Sequence, residues 1–495
     1  MTAAGRSLAA RPPGVLLAAL VAAVAWALSA VVLVRGGGYF VVLPRLGWVL
    51  PVAALATVTA LASSRAGRPR VTTVTWFVVV AVFAFLWNVL VFWVRFGDAT
   101  LYGLVPQARA AGVDFIDGLY DPARAFTTLT SGWPPFTLIL GRPFTWFDPA
   151  TARVIEIVVL AAAAAAAVVL SAVLAARAAP EPGVRGDASP AGDRGVRPLE
   201  LGLFAGVWLA TSAGFVYEME RGNIDLLALF FSLLAVWLLL RPRISPWWPA
   251  LALAVAVNVK LYPGVLLVLV LWRYRWRAVV PVLVTNVALL LAAGPRVLME
   301  TVRGRAAVEG MDVVYWWGNH SAMSTARVFR ELFALAPSWL YWPLLLVPLA
   351  LWVGTLVLLF RRGWTERHAV VAAAACVPVM STVPAISHDY KLVLFVFPLA
   401  VLVALVATRG GRGTIAWAGL FAVAAWVTVQ LSRSALVMLP SLQNSKYLMI
   451  VLVQLLLLAV AWAEKTEAGA KAAERGSYDE GARPPARAAA EEETT

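Results

Sequence analysis

Long apolar runs broken by short basic turns set the pattern of this chain. Runs at 14–34, 46–63, 72–95, 152–176, 200–216, 223–241, 278–294, 339–360, 368–384, 391–408, 414–431 and 447–463 stand out. Each lies near the span of about 20 apolar residues that carries a helix across a bilayer. The turns SSRAGRPR (63–70), RPR (241–243), RYRWR (273–277), RRGWTER (361–367) and RGGR (409–412) are rich in arginine, which assigns them to the cytoplasmic side. The first run follows Arg6 and Arg11 and reads as an uncleaved signal-anchor helix with a cytoplasmic amino terminus.

Between 63–70 and 241–243 an even number of crossings is needed, and the apolar runs number five. The odd piece is 134–147. It has fourteen residues including Pro134, Pro135, Arg142 and Pro143, and is predicted to be re-entrant or interfacial. Residues 95–133 then form the longest outer loop, and 295–338 a second outer segment. Between RPR and RYRWR the pattern predicts a hairpin of two short arms that meet near Lys260, Tyr262 and Pro263, within or near the outer leaflet. Residues 177–198 and the tail 464–495 are rich in Pro, Gly, Ala and charge, and are expected to be disordered and cytoplasmic. Residues 1–463 make one transmembrane domain.

Composition narrows the picture. Of 495 residues, 61% are hydrophobic and 14% charged, a balance no soluble core accommodates. The net charge of +14 comes from clusters between apolar runs and not from one basic face, so a nucleic-acid partner is not expected. Only five of the 41 basic residues are lysines, so lysines inside the membrane body stand out. The single cysteine, Cys376, excludes an internal disulfide and reads as apolar filler.

Charge at bilayer depth costs on the order of 2.5–3.5 kcal/mol per group, so such residues need a partner or a purpose. Five clusters qualify, all on the outer side. Asp98, directly after a span, suits either a general base toward a hydroxyl or a helix cap. Asp114 in GVDFIDGLYDP is the reserve base, while Asp117 and Asp121 read as solvated turn residues. In YEMERGNIDLL, Arg221 and Asn223 suit sugar hydroxyls or phosphate; the alternative is a self-neutralised group of ion pairs, with Glu218, Glu220 and Asp225, capping a helix. Lys260 and Tyr262 in NVKLYPG suit a lipid-borne phosphate, or a salt bridge from Lys260 to an acid of another cluster. Asn319 and His320 in WWGNHSAMS and His388 and Asp389 in ISHDYKL suit phosphate or sugar contacts, and His368 is incidental. The histidine spacing is not that of a zinc site, and the sequence indicates neither a divalent cation nor another cofactor. No Walker A or dinucleotide fingerprint is present, which disfavours nucleotide-driven chemistry.

In order, GDATLY, GLYDP and WPPF, RGNIDLLAL, NVKLYPGVLLVLVLWRYRWRA, GNHSAMSTARVFREL and SHDYKLVLFVFPL resemble glycosyltransferase family 87 of the GT-C superfamily, over roughly residues 95 to 400. The resemblance implies an all-α polytopic bundle of about 12–14 membrane helices with interfacial helices in a large first outer loop. It further implies an inverting transferase of the plasma membrane, active on its outer face, moving mannose from a polyprenyl-phosphate donor to a lipid or glycan acceptor. An acid of the first outer loop, carried onto Asp98, acts as the base. Arabinofuranosyl transfer within the family, or a lipid-linked-sugar flippase, are the alternatives. Family members often carry Gln at the position of Asn223 and a Trp-His motif in place of SHDYK, so the sugar and acceptor do not transfer.

Overall fold

The computed structural model describes residues 134–179, 198–212, 222–295, 320–326, 338–384, 389–407 and 449–463, with isolated positions 214, 215, 218, 299, 387, 446 and 447. All regular structure among them is helical. The spans expected at 14–34, 46–63, 72–95 and 414–431 lie outside the described residues, as do the loop before 134, most of 177–198 and the tail.

The first helix, α1 (Pro135–Gly141), has seven residues and passes into a 3-10 turn, Arg142–Trp146. Together they extend about 20 Å, short of the ~30 Å hydrocarbon core. Asp148 then starts α2 (Pro149–Ala178): its carboxylate accepts from the Thr151 amide at 3.1 Å and from the Thr151 hydroxyl. The thirty residues of α2 are mostly apolar and alanine-rich, and α3 (Pro198–Thr211) packs closely on it. Small residues allow that approach: a Cβ at Gly202 would lie 3.6 Å from Ala172.

Next come α4 (Asp225–Leu239), α5 (Trp247–Val259), a 3-10 turn Tyr262–Leu266, α6 (Leu267–Tyr274) and α7 (Val279–Ala292). The expected short-armed hairpin is α5 followed by the 3-10 turn and α6. Arg275, at φ +54°, breaks the helical path between α6 and α7, and α7 packs along α5. After α8 (Tyr341–Phe360), Thr365 caps α9 (Glu366–Thr382) by accepting from the His368 amide at 3.1 Å. A 3-10 stretch, Asp389–Phe395, leads into α10 (Val396–Ala407), and α11 (Met449–Ala463) is the last described helix.

The centre is built by α2, α9 and α10. Every residue of α9 from Ala369 to Thr382 is buried, and α2 touches α3, α4, α9 and α10. Cys376 lies inside this core. The periphery is apolar as well: α7 exposes Leu283, Val287 and Leu291, and α8 exposes Trp342, Leu346 and Val353. Such faces belong against lipid tails. Val154–Ala178, Tyr262–Ala292 and Tyr341–Phe360 are long and apolar enough to cross a bilayer, although Arg275 interrupts the second; α4, α5 and α11 are shorter apolar helices.

Candidate functional site

The polar centre forms where α4 begins and α5 ends. Gly222, at φ +57°, turns the chain into this corner, where a side chain would be strained. The Asn223 amide then donates to the Glu218 carbonyl at 3.1 Å, and the Asn223 side-chain oxygen accepts from the Ile224 amide at 2.9 Å. Glu218 caps α4 from eight residues upstream, its Oε1 accepting from the Leu226 amide at 3.0 Å. Glu218 holds a helical position between α3 and α4, outside both of those helices. Burial first, and then the Asp225 carboxylate beside it, hold its carboxyl well above the usual carboxylate range.

With Glu218 as the cap, Asp225 is left to look across the bundle. It is fully buried, and its Oδ2 lies 3.6 Å from the Lys260 Nζ while its Oδ1 accepts from the Tyr262 hydroxyl. Lys260 and Tyr262 reach it because α5 stops at Val259 and the backbone becomes extended at Lys260; between them Leu261 is turned outward, 55% exposed. The end of α5 is fixed by α1. The Thr137 hydroxyl lies 3.1 Å from the carbonyls of both Asn258 and Val259, and the Asn258 amide donates to Asn286 of α7 at 3.0 Å.

A second lysine completes the group. Lys391, from the 3-10 stretch before α10, is buried with its ammonium 5.2 Å from the Tyr262 ring centroid, and it lies within electrostatic reach of both Asp225 and Lys260. Four residues earlier, Ser387 joins the histidine piece: the His320 amide donates to the Ser387 carbonyl at 2.8 Å, and the Ser387 hydroxyl lies 3.2 Å from His320 Nε2. Both residues are fully buried.

Three of the five clusters thus supply this region. Of the residues the sequence singled out for a site, Lys260, Tyr262, Asn223 and His320 are placed, and Asp389 opens the 3-10 stretch with only its backbone described. Asp98, Asp114, Arg221, Asn319 and His388 lie outside the described residues. For Lys260 the alternative of a salt bridge to another cluster's acid is observed. In the third cluster, where the alternative to sugar or phosphate binding was a self-neutralised group capping a helix, Glu218 caps α4 while Asp225 pairs outside its own cluster, with Lys260. Three participants were not chosen as site residues from sequence: Asp225, Lys391 and Ser387. The signal for Lys391 was present, since it is one of only five lysines and begins an apolar run. No group of three or more His, Cys, Asp or Glu gathers at metal-ligating distance among the described residues.

Chemically, the arrangement offers two ammonium groups, a tyrosine hydroxyl and a carboxylate in a buried setting, which can hold an anionic headgroup by charge-assisted hydrogen bonds. Comparison with known proteins gives one match, to the family model described as glycosyltransferase family 87, over residues 133–385, just over half of the chain. That match takes in α1 to α9 with Asp225, Lys260 and His320, and leaves out the 95–132 loop and the SHDYK piece. Neither the curated proteins nor the solved structures compared with the chain give a match. The order of the motifs, the apolar helical bundle and the extent of the family match lead to one conclusion: the chain belongs to glycosyltransferase family 87 and is a membrane glycosyltransferase.

Proposed function

We propose that this enzyme is an inverting transferase that moves a sugar, mannose by the family resemblance, from a polyprenyl-phosphate donor to a lipid or glycan acceptor at the outer face of the plasma membrane. The observation that supports this reading is the pair of buried lysines, Lys260 and Lys391, brought from distant segments to one carboxylate. Ammonium groups kept at such cost suit a phosphate carried on a lipid. Lys260, Lys391 and Tyr262 hold the donor phosphate; Asn223, His320, and Arg221, Asn319, His388 and Asp389 with them, face the phosphate or sugar.

In the reaction, Asp98, with Asp114 in reserve, takes the proton of an acceptor hydroxyl. That oxygen forms a bond to the anomeric carbon as the bond from this carbon to the phosphate oxygen breaks. The lipid phosphate leaves with the bonding electrons, and configuration inverts. Its developing charge is stabilised by fixed ammonium groups in a water-poor site, usually a large catalytic effect.

The test uses membranes containing the full chain, polyprenyl-phosphate mannose and a lipid acceptor. The product gains the mass of one hexose; Asp98→Asn abolishes it at unchanged protein abundance, and Lys260→Met abolishes it per molecule of folded protein. Loss with Asp114→Asn but not Asp98→Asn moves the base to Asp114. Label that crosses between leaflets without a mass change identifies a flippase and refutes the proposal.

A further inference from the structure

At the opposite ends of α4 and α5 from Asp225 and Lys260, several loops are drawn together. The Tyr274 hydroxyl donates to the Ile244 carbonyl at 3.2 Å, tying RYRWR to the loop that follows RPR. The Trp272 ring lies 4.2 Å from Phe360 and 4.9 Å from Trp364, and the Arg273 guanidinium lies 5.1 Å from the Trp364 ring centroid. Arg177, at the end of α2, pairs with Glu366 at 3.2 Å. Six helix ends therefore share one surface: those of α2, α4, α5, α6, α8 and α9.

The charge of this surface is one-sided. Arg177 and the stretches 241–243, 273–277 and 361–367 carry nine arginines against a single acid, Glu366. Several guanidinium groups are held by aromatic faces, Arg241 at 4.0 Å over Trp237 and Arg277 at 5.9 Å over Trp276. Trp276 is 75% exposed, with Trp248 nearby in sequence to the RPR loop at 59%. Exposed tryptophan beside arginine, at the ends of apolar helices, is the composition of a surface at headgroup level. A merely solvated charged face has no need of exposed indoles.

We propose that this arginine–tryptophan surface is a binding site for anionic phospholipid headgroups, separate from the transfer site. The phosphate of the lipid takes the fixed guanidinium donors while the indoles lie among the upper acyl carbons. Because cation–π contacts already hold Arg241, Arg273 and Arg277 near their rings, less side-chain freedom is lost on binding.

The test is native mass spectrometry of the full-length protein released from detergent micelles supplied with equal amounts of phosphatidylglycerol and phosphatidylcholine. Phosphatidylglycerol is retained in preference, and rising salt reduces that preference. In Arg241→Gln and Arg277→Gln the ratio of retained lipids falls about fivefold per arginine removed, whereas Arg241→Lys and Arg277→Lys keep most of it. Equal retention of the two lipids by the unaltered protein overturns the proposal, even if the variants do not fold. So does a ratio that falls with Lys260→Met, which would put the bound headgroup at the other end of the helices. Neither readout depends on transferase activity.

Discussion

Removing the Asp225 carboxylate should cost far more than removing either cation that faces it. At 3.6 Å the Lys260–Asp225 pair has a Coulomb attraction of about 4–5 kcal/mol at an effective dielectric constant near 20. Lys391 is held in the same field. Asp225→Asn leaves two buried ammonium groups repelling each other without that carboxylate, a loss of about 3–5 kcal/mol. Lys260→Met instead leaves Asp225 with Lys391 and the Tyr262 hydroxyl, and should cost about half as much. In the double variant the two losses do not add, because deleting the second charge relieves the first. A cycle measured by unfolding in mixed detergent micelles, with abundance in the membrane as a second readout, gives the coupling directly. Additive losses, or a Lys260→Met variant as unstable as Asp225→Asn, would refute the shared-carboxylate reasoning.

Other perturbations separate the remaining roles. Tyr262→Phe removes a hydrogen bond to a charged acceptor but keeps the ring beneath Lys391, so stability should fall by about 1.5–3 kcal/mol as read by the same unfolding assay. Because the folded pKa of Glu218 lies above its unfolded value, folding retains a proton that the unfolded chain sheds. Its contribution is fully present at and below the ordinary carboxylate range and is lost as pH rises through the raised folded value. Glu218→Gln, still able to accept from the Leu226 amide, should keep the protein folded and flatten that part of the stability–pH curve, whereas Glu218→Ala should lose the cap and destabilise at every pH. Thr137→Val should lower the thermal midpoint and the affinity for donor together, since Thr137 fixes the end of α5 from which Lys260 projects.

Where the hydrophobic pattern was long and unbroken, the fold was legible in outline. The run 152–176 becomes Pro149–Ala178, 223–241 becomes Asp225–Leu239, and 368–384 becomes Glu366–Thr382. In the run 200–216 the helix breaks at Ser212, whose amide and hydroxyl both turn back to the Leu209 carbonyl, and helical residues resume at 214 and 215. At the site, the choice between cap and partner could not be made by spacing. Helix-capping rules look within a few residues of a helix start, and the cap of α4 comes from Glu218 through a glycine turn. That left Asp225 looking like the cap it is not. Lys391 was obscured differently, by two neighbouring residues with more familiar chemistry, His388 and Asp389. Lys260 showed itself plainly, since a lone cation after a long uncharged stretch must find an anion somewhere in the fold.

The brevity of α4 and α5 has a consequence for how a substrate arrives. At 15 and 13 residues they are about 20 Å long, some 10 Å less than the apolar thickness they sit in. If the guanidinium groups at one end rest in their own layer of headgroups, Asp225 ends up at the bottom of a pit, beneath the opposite surface. A molecule whose isoprenoid chain already lies among the tails enters such a pit sideways, dipping its polar end below its neighbours. A water-borne nucleotide sugar would have to descend from above with nothing to anchor it.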